Sequence, residues 1–203
     1  MTGFASSAND VEVLEKTTAF QGYFRVDRYR LRHRLFAGGW SPPIVREVFE
    51  RGHAVAVLPY DATRDQVVLI EQFRAGPFAA GDPPWLLEIV AGVIGPGETP
   101  EGVAVRELRE EAGLTPTGAL ILIARCFSSP GGSSETFRLY CAPVDATSAG
   151  GIHGLAAESE DIRVVPMDFA AAWQALLDGR LNSPPPIIAL QWLMLRRASI
   201  AQR

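Results

Sequence analysis

Gly92–Leu114 reads GVIGPGETPEGVAVRELREEAGL, a glycine-rich turn running into an acidic helix. Thr99 can cap that helix, Pro100 suits its first position, and Glu101 suits its positive end. Gly113 fits the left-handed residue that ends it. These signals predict a helix over 99–112. At 3.6 residues per turn Glu107 and Glu111 lie about 40° apart around the axis, with Glu110 on the same side. Val105, Leu108 and Ala112 point elsewhere and can bury. Three carboxylates on one flank repel one another, and like charges four apart destabilise a helix. Arg106, four residues before Glu110, can pair with it. The remaining charge suits a hard divalent cation with oxygen ligands, Mg²⁺ or Mn²⁺. Upstream, Gly92, Gly95 and Gly97 let backbone approach a ligand closely, and Glu98 adds a fourth carboxylate. The loop and helix together point to metal-bridged phosphates.

Outward from this segment, short apolar runs alternate with turn signals. His53–Tyr60 and Gln66–Phe73 read as a hairpin around Asp61–Asp65. Trp85–Val90, Ala119–Phe127, Thr136–Val144 and Asp161–Val165 read as further strands, and Gly92–Gly97 and Gly150–Asp161 as loops. Phe169–Leu177 and Pro186–Arg197 read as helices. Strands first, then interleaved helices, predict an α/β fold with a mixed sheet covered by helices. Val11–Phe49 is extended throughout. Within it YFRVDRYRLRHRLF (Tyr23–Phe36) sets Arg28, Arg30, Arg32 and Arg34 on one side and Tyr29, Leu31, His33 and Leu35 on the other. An antiparallel unit of about fifty residues is marginal alone and must pack on something. The expected division is 1–50 and 51–203, with the small polar residues at the start frayed.

Composition bounds the rest. In 203 residues, 47% are hydrophobic and 21% charged, and the net charge is −4. That balance supplies a real core and argues against a basic nucleic-acid-binding surface. Lys16 is the only lysine. Because the whole chain is acidic, the arginine stripe reads as a solvated or inter-subunit face. Cys126 and Cys141 have no metal or redox spacing and read as core cysteines. No apolar run approaches the roughly 18 residues of a membrane helix, and the start lacks a secretory pattern. No membrane partner and a cytoplasmic location are expected.

Gly92, five residues, Glu98, seven residues, then Arg106-Glu107-Leu108-Arg109-Glu110-Glu111-Ala112-Gly113-Leu114 resembles the full Nudix box. From about Tyr23 to Gln191 the chain is similar to bacterial ADP-ribose pyrophosphatases, through VFERGHA, VVLIEQFR, PWLLEIVAG, SPGGSSE, GIHGLAAESEDIRV and IALQWL. The resemblance implies an α/β/α sandwich. It also implies an N-terminal β unit exchanged in a homodimer whose sites use both subunits. The implied reaction is hydrolysis of ADP-ribose to AMP and ribose 5-phosphate. The alternatives are a GDP- or UDP-sugar as substrate, or a non-catalytic ADP-ribose sensor.

The resemblance also implies roles for residues. Glu107 and Glu111 are metal ligands, beside the backbone of Ala91. Glu110 is a third ligand or is held by Arg106. Glu98 fixes the loop and Arg106. From the acidic loop, Glu158 is the general base and Glu160 an added ligand, or the two are reversed. Arg74 meets the diphosphate. Tyr23 and Arg46 hold adenine. Glu135 accepts from the terminal ribose. Arg51 and Glu88 serve either the substrate or the core, and His153 is a faint candidate beside the acidic loop.

Overall fold

The computed structural model describes residues 8–200. The expectation of a frayed start falls mostly on residues 1–7, outside the described residues, and Ala8–Asp10 form one 3₁₀ turn. The chain divides into two compact units. One runs to Gly52 and takes in Phe127–Glu135; the other comprises 53–126 and 136 onward.

The first unit is a three-stranded antiparallel sheet of β1 (Val11–Gln21), β2 (Arg25–His33) and β3 (Ile44–Glu50), in that order. After β2 the chain turns at Ala37–Gly39, with positive φ at Gly38 and Gly39. Phe49 N–H donates to Gly132 O at 2.8 Å, which ties the 127–135 segment to β3. Alternation holds along β2. Arg28 and Arg30 are exposed, while Arg32 pairs with Glu12 and shares the Trp40 ring with Arg34. On the other side Asp27 is buried under Lys16 and Arg25, both at 3.0 Å.

The second unit is a sandwich. Its strands are β4 (Ala54–Asp61), β5 (Gln66–Phe73), β6 (Trp85–Glu88), β7 (Val90–Val93), β8 (Ile121–Phe127), β9 (Thr136–Pro143), β10 (Ile152–His153) and β11 (Ile162–Asp168). The main path is β10-β11-β5-β4-β9-β8, with β6 on β5 and β7 on β4. Only β4 and β9 pair in parallel among the strand pairs with a stated register, so the sheet is mixed. Four helices complete the chain: α1 (Ala75–Ala80), α2 (Pro100–Ala112), α3 (Phe169–Leu177) and α4 (Pro184–Ile200).

Side-chain alternation sorts the core into two layers. Val55, Val57, Val68, Ile70, Tyr140 and Ala142 pack with Val103, Ala104, Leu108 and Ala112 of α2. Their neighbours Ala56, Leu58, Val67, Leu69, Leu139 and Cys141 pack with Phe169, Ala172, Leu190 and Leu193 of α3 and α4. A sheet covered on both faces reads as continuous apolar runs, which is why HAVAVLPY and VVLI show no alternation. Cys141 is in that core as expected, and Cys126 is partly buried.

One departure positions the site. The single strand expected at Trp85–Val90 is two strands. β4 and β5 pair only at Tyr60–Asp61 with Gln66–Val67, then splay. Residues 85–93 fill the wedge. β6 runs along β5 from Phe73↔Trp85 to Ile70↔Glu88, the chain turns at buried Ile89, and β7 returns along β4 from Val57↔Val90 to Ala54↔Val93. Gly92 and Val93, expected in the loop, thus belong to β7.

Candidate active site

The acidic helix is built as its sequence dictates. Thr99 Oγ1 accepts from Gly102 N–H at 3.2 Å, Pro100 is its first residue, and Gly113 closes it at φ 65°. Tyr140 Oη donates to Glu101 at 2.7 Å and pins the first turn to β9. Val103 and Ala104 join Leu108 and Ala112 in the core, whereas Val105 is only half-buried. That rotation turns Glu107 and Glu111 toward the wedge, not toward water. Glu111 is 2% exposed and Glu107 9%.

The wedge meets the two carboxylates with backbone. Ala91 N–H donates to Glu111 Oε2 at 2.9 Å. A Cβ on Gly92 would lie 2.0 Å from Glu107 Oε1, so only glycine admits that carboxylate. Glu98 accepts from Gly95 N–H at 2.8 Å and so folds the loop onto itself. Arg106 serves three acids: Glu98 at 3.4 Å, Glu107 at 2.9 Å and Glu110 at 2.9 Å. Of the two readings for Glu110, this geometry favours the one in which Arg106 holds it.

The electrostatics separate the acids. Burial pushes the Glu111 carboxyl up to about 8, opposed by the Ala91 N–H and reinforced by Glu107. Burial pushes Glu107 up to about 7, opposed by Arg106 and reinforced by Glu110 and Glu160. Desolvation and like charges both disfavour the ionised pair. A cation placed there removes both penalties.

The acidic loop belongs to the same unit. Gly154 N–H donates to Glu110 O at 3.1 Å, and the His153 ring lies against Gly113, with Nε2 2.9 Å from Gly150 O. His153 is therefore a packing residue that anchors the loop. Within the loop Ala156–Glu158 form a 3₁₀ turn, and Ser159 takes a left-handed φ of 57°. Glu160 accepts from Leu155 N–H at 3.1 Å. Glu158 is exposed, and its carboxylate has no hydrogen-bond or ion-pair partner among the described residues. Among the described residues, no three His, Cys, Asp or Glu side chains are gathered into a cage for a metal ion. Of the expected set, Glu110 and Glu160 are near enough to act on the Glu107 carboxyl, and Glu107 and Glu160 on that of Glu111. Arg106 holds Glu110 and one oxygen of Glu107, and Glu160 caps its own loop.

Arg74, expected on the diphosphate, pairs with Glu88 across β5 and β6 at 2.7 Å, and Ser183 lies 3.4 Å from the other Glu88 oxygen. It is also near enough to Glu111 to oppose the upward shift of that carboxyl. Glu88 is thus held between Arg74 and Ser183. The β5 residue Gln72, not singled out from the sequence, is buried with its Nε2 lacking a partner. A polar residue inside the apolar run QVVLIEQF was the available signal.

The remaining residues lie in the first unit. Arg51 contacts Glu135 at 3.1 Å and stacks over Phe24, which meets both Tyr23 and Phe49 edge-on. Tyr23 is 95% exposed. Arg46 sits opposite Tyr29, four ladder positions from the Arg25↔Glu50 pair. That is about 13 Å along the strand. The ladder therefore does not bring Tyr23 and Arg46 together within one chain.

Comparison with known proteins follows this geometry. The family model of the NUDIX domain matches residues 50–188. The chain belongs to the Nudix family. Among its Nudix relatives is the ADP-ribose pyrophosphatase of Escherichia coli (strain K12), 47% identical over 192 residues, covering 95% of this chain and 91% of the relative. The Haemophilus influenzae ADP-ribose pyrophosphatase is 42% identical over 97% of this chain and 91% of its own length. The GDP-mannose pyrophosphatase of Cronobacter sakazakii is 35% identical over 74% and 78%. A crystal structure of an ADP compounds hydrolase superposes with a TM-score of 0.73, covering 98% of this chain and 100% of that one at 22% identity, a likeness of fold. No described helix is long and apolar enough to cross a membrane.

Proposed function

We propose that this Nudix chain is a cytoplasmic Mg²⁺-dependent ADP-ribose diphosphatase, converting ADP-ribose and water to AMP and ribose 5-phosphate. The observation that carries the reaction class is the buried pair Glu107 and Glu111 over Ala91–Gly92. Mg²⁺ takes only one or two carboxylates from a protein and completes its octahedron with waters and substrate phosphates. Two buried acids without a cage therefore fit it, with Mn²⁺ as the near substitute. Glu107 and Glu111 would hold the ion, with the Ala91 backbone beside them. Bound there, it neutralises charge on the phosphate oxygens and polarises phosphorus.

The chain's own groups do the rest. Arg74 presents guanidinium N–H groups to the diphosphate when it exchanges Glu88 for substrate. Glu158 takes the proton of the attacking water. Its carboxylate is unengaged, whereas that of Glu160 is occupied by the Leu155 N–H, which supports this assignment over the reverse. Loop glycines with positive φ at 150, 151 and 154 allow the acidic turn to approach bound substrate. Tyr23 and Arg46 hold adenine, and Glu135, oriented by Arg51, accepts from the terminal ribose.

We further propose that the chain works as a homodimer. Val11, Val13 and Phe20 are all exposed on β1. Such a surface on a small sheet marks a contact face. The separation of Tyr23 from Arg46 along the ladder is resolved if two copies supply one adenine site. The test is a substrate panel of ADP-ribose, GDP-mannose and UDP-glucose, each with Mg²⁺ and with chelator. Highest kcat/KM on ADP-ribose, lost in chelator, supports the reading. A higher value on GDP-mannose withdraws Tyr23, Arg46 and Glu135 as readers of ADP-ribose.

A further inference from the structure

Gln72 is the least explained polar residue of the sandwich. It is 7% exposed, and its Nε2 is buried with no hydrogen-bond partner. Its place follows from β5. Val68 and Ile70 turn to the α2 layer, so Gln72, two further on, shares that face. Across the ladder it pairs with Leu86, two positions from Ile70↔Glu88 and next to the Phe73↔Trp85 end of the β5–β6 pair. Arg74, next on the same face, reaches Glu88 and acts on the Glu111 carboxyl. Gln72 therefore lies between an apolar floor and the charged groups of the site.

A leucine or methionine would suit that floor without cost, because an orphaned buried donor destabilises a fold. The chain keeps an amide instead. A half-turn about the last side-chain torsion, which has a broad two-fold profile, exchanges the two ends of the amide. That turn puts the NH₂ group where the carbonyl oxygen was.

We propose that Gln72 is a substrate-binding residue, its amide N–H donating to a diphosphate oxygen beside Arg74. The inference rests on the diphosphatase reading. In the free protein the donor is held without a partner, and bound substrate supplies one. The uncharged amide can do this without drawing the charge of Glu107 and Glu111, as a second arginine would.

The test is equilibrium binding in chelator, where no turnover occurs, with ADP-ribose, ADP and adenosine as ligands. Gln72→Met keeps the volume and removes the donor. The expected result is a Kd about 10- to 100-fold higher for ADP-ribose and ADP. Adenosine binding stays unchanged, and Tm equals or exceeds that of the wild type. Gln72→Asn, which keeps the amide, recovers part of the loss. Kd values within twofold of wild type overturn the proposal. So does an equal loss for adenosine, or a lowered Tm that Gln72→Asn does not relieve, since either marks a packing role. Wild-type turnover of ADP-ribose, measured alongside, separates failure of this residue from failure of the diphosphatase reading.

Discussion

The two sheets of this chain use their apolar residues in opposite ways. The large sheet is covered on both faces, and Val55 to Leu58, Val67 to Ile70 and Leu139 to Ala142 are sealed from water. The small sheet has almost no buried residue, and Val11, Val13, Phe20, Tyr23 and Phe36 are open. The first can position buried charge, because its wedge and helix are fixed by a core. The second leaves apolar residues at its surface, and in the proposed homodimer a second copy covers them. On that proposal chemistry is concentrated on one sheet and recognition on the other.

Removing the small sheet breaks the comparison most severely. Deletion of residues 1–50 should leave monomeric or aggregated protein with turnover at background, read by sedimentation and product assay. A soluble, active truncation would refute the shared site. Glu111→Gln should lower turnover by about three orders of magnitude or more while the fold stands, because it removes metal-binding charge and not packing. Unchanged turnover at saturating Mg²⁺ would remove Glu111 from the ligands. Gly92→Ala should follow, at about a hundredfold in kcat/KM, since the new methyl meets the Glu107 carboxylate.

Stability against pH sharpens the same contrast. Glu107 and Glu111 titrate at about 7 and about 8 in the folded chain, above the ordinary 4.5 that the unfolded chain retains. Their protonated forms therefore favour folding. That contribution is complete below pH 4.5 and is lost as pH rises through about 7 and about 8. Metal-free protein should lose several degrees of Tm between pH 5 and pH 9 by thermal shift, and Mg²⁺ should flatten the slope. A Tm that climbs over that range in chelator would contradict the burial of the pair. The smallest effect is Thr99→Ala. Losing the cap should cost about 1 kcal/mol and roughly 2–4 °C, with KM unchanged.

Much of this was legible because local chemistry set it. Thr99, Pro100 and Gly113 marked both ends of α2, and the box spacing marked the acids. What was not legible depended on neighbours distant in sequence. PWLLEIVAG is one uniform apolar run, and its break at Ile89 exists only because β4 and β5 splay. The α1 helix, AGPFAA, has six residues and none buried, so it carries no periodicity to read. β10 is two residues inside a glycine loop. At the site, the residue types of Arg74 and Glu88 were visible, but their 2.7 Å pairing required knowing that β6 lies on β5. The attachment of Phe127–Glu135 to the first unit rests on hydrogen bonds to β3, which no local pattern announces.

In the proposed reaction the buried acids of α2 turn over a diphosphate read by groups of the first unit. A ³¹P NMR time course of the full-length protein with ADP-ribose and Mg²⁺ tests it most directly. The account predicts that the diphosphate signals give way to AMP and ribose 5-phosphate in equal amounts, and that chelator stops the change. Persistence of the diphosphate signals under saturating Mg²⁺, with ADP-ribose bound, would contradict it and leave a sensor in place of an enzyme.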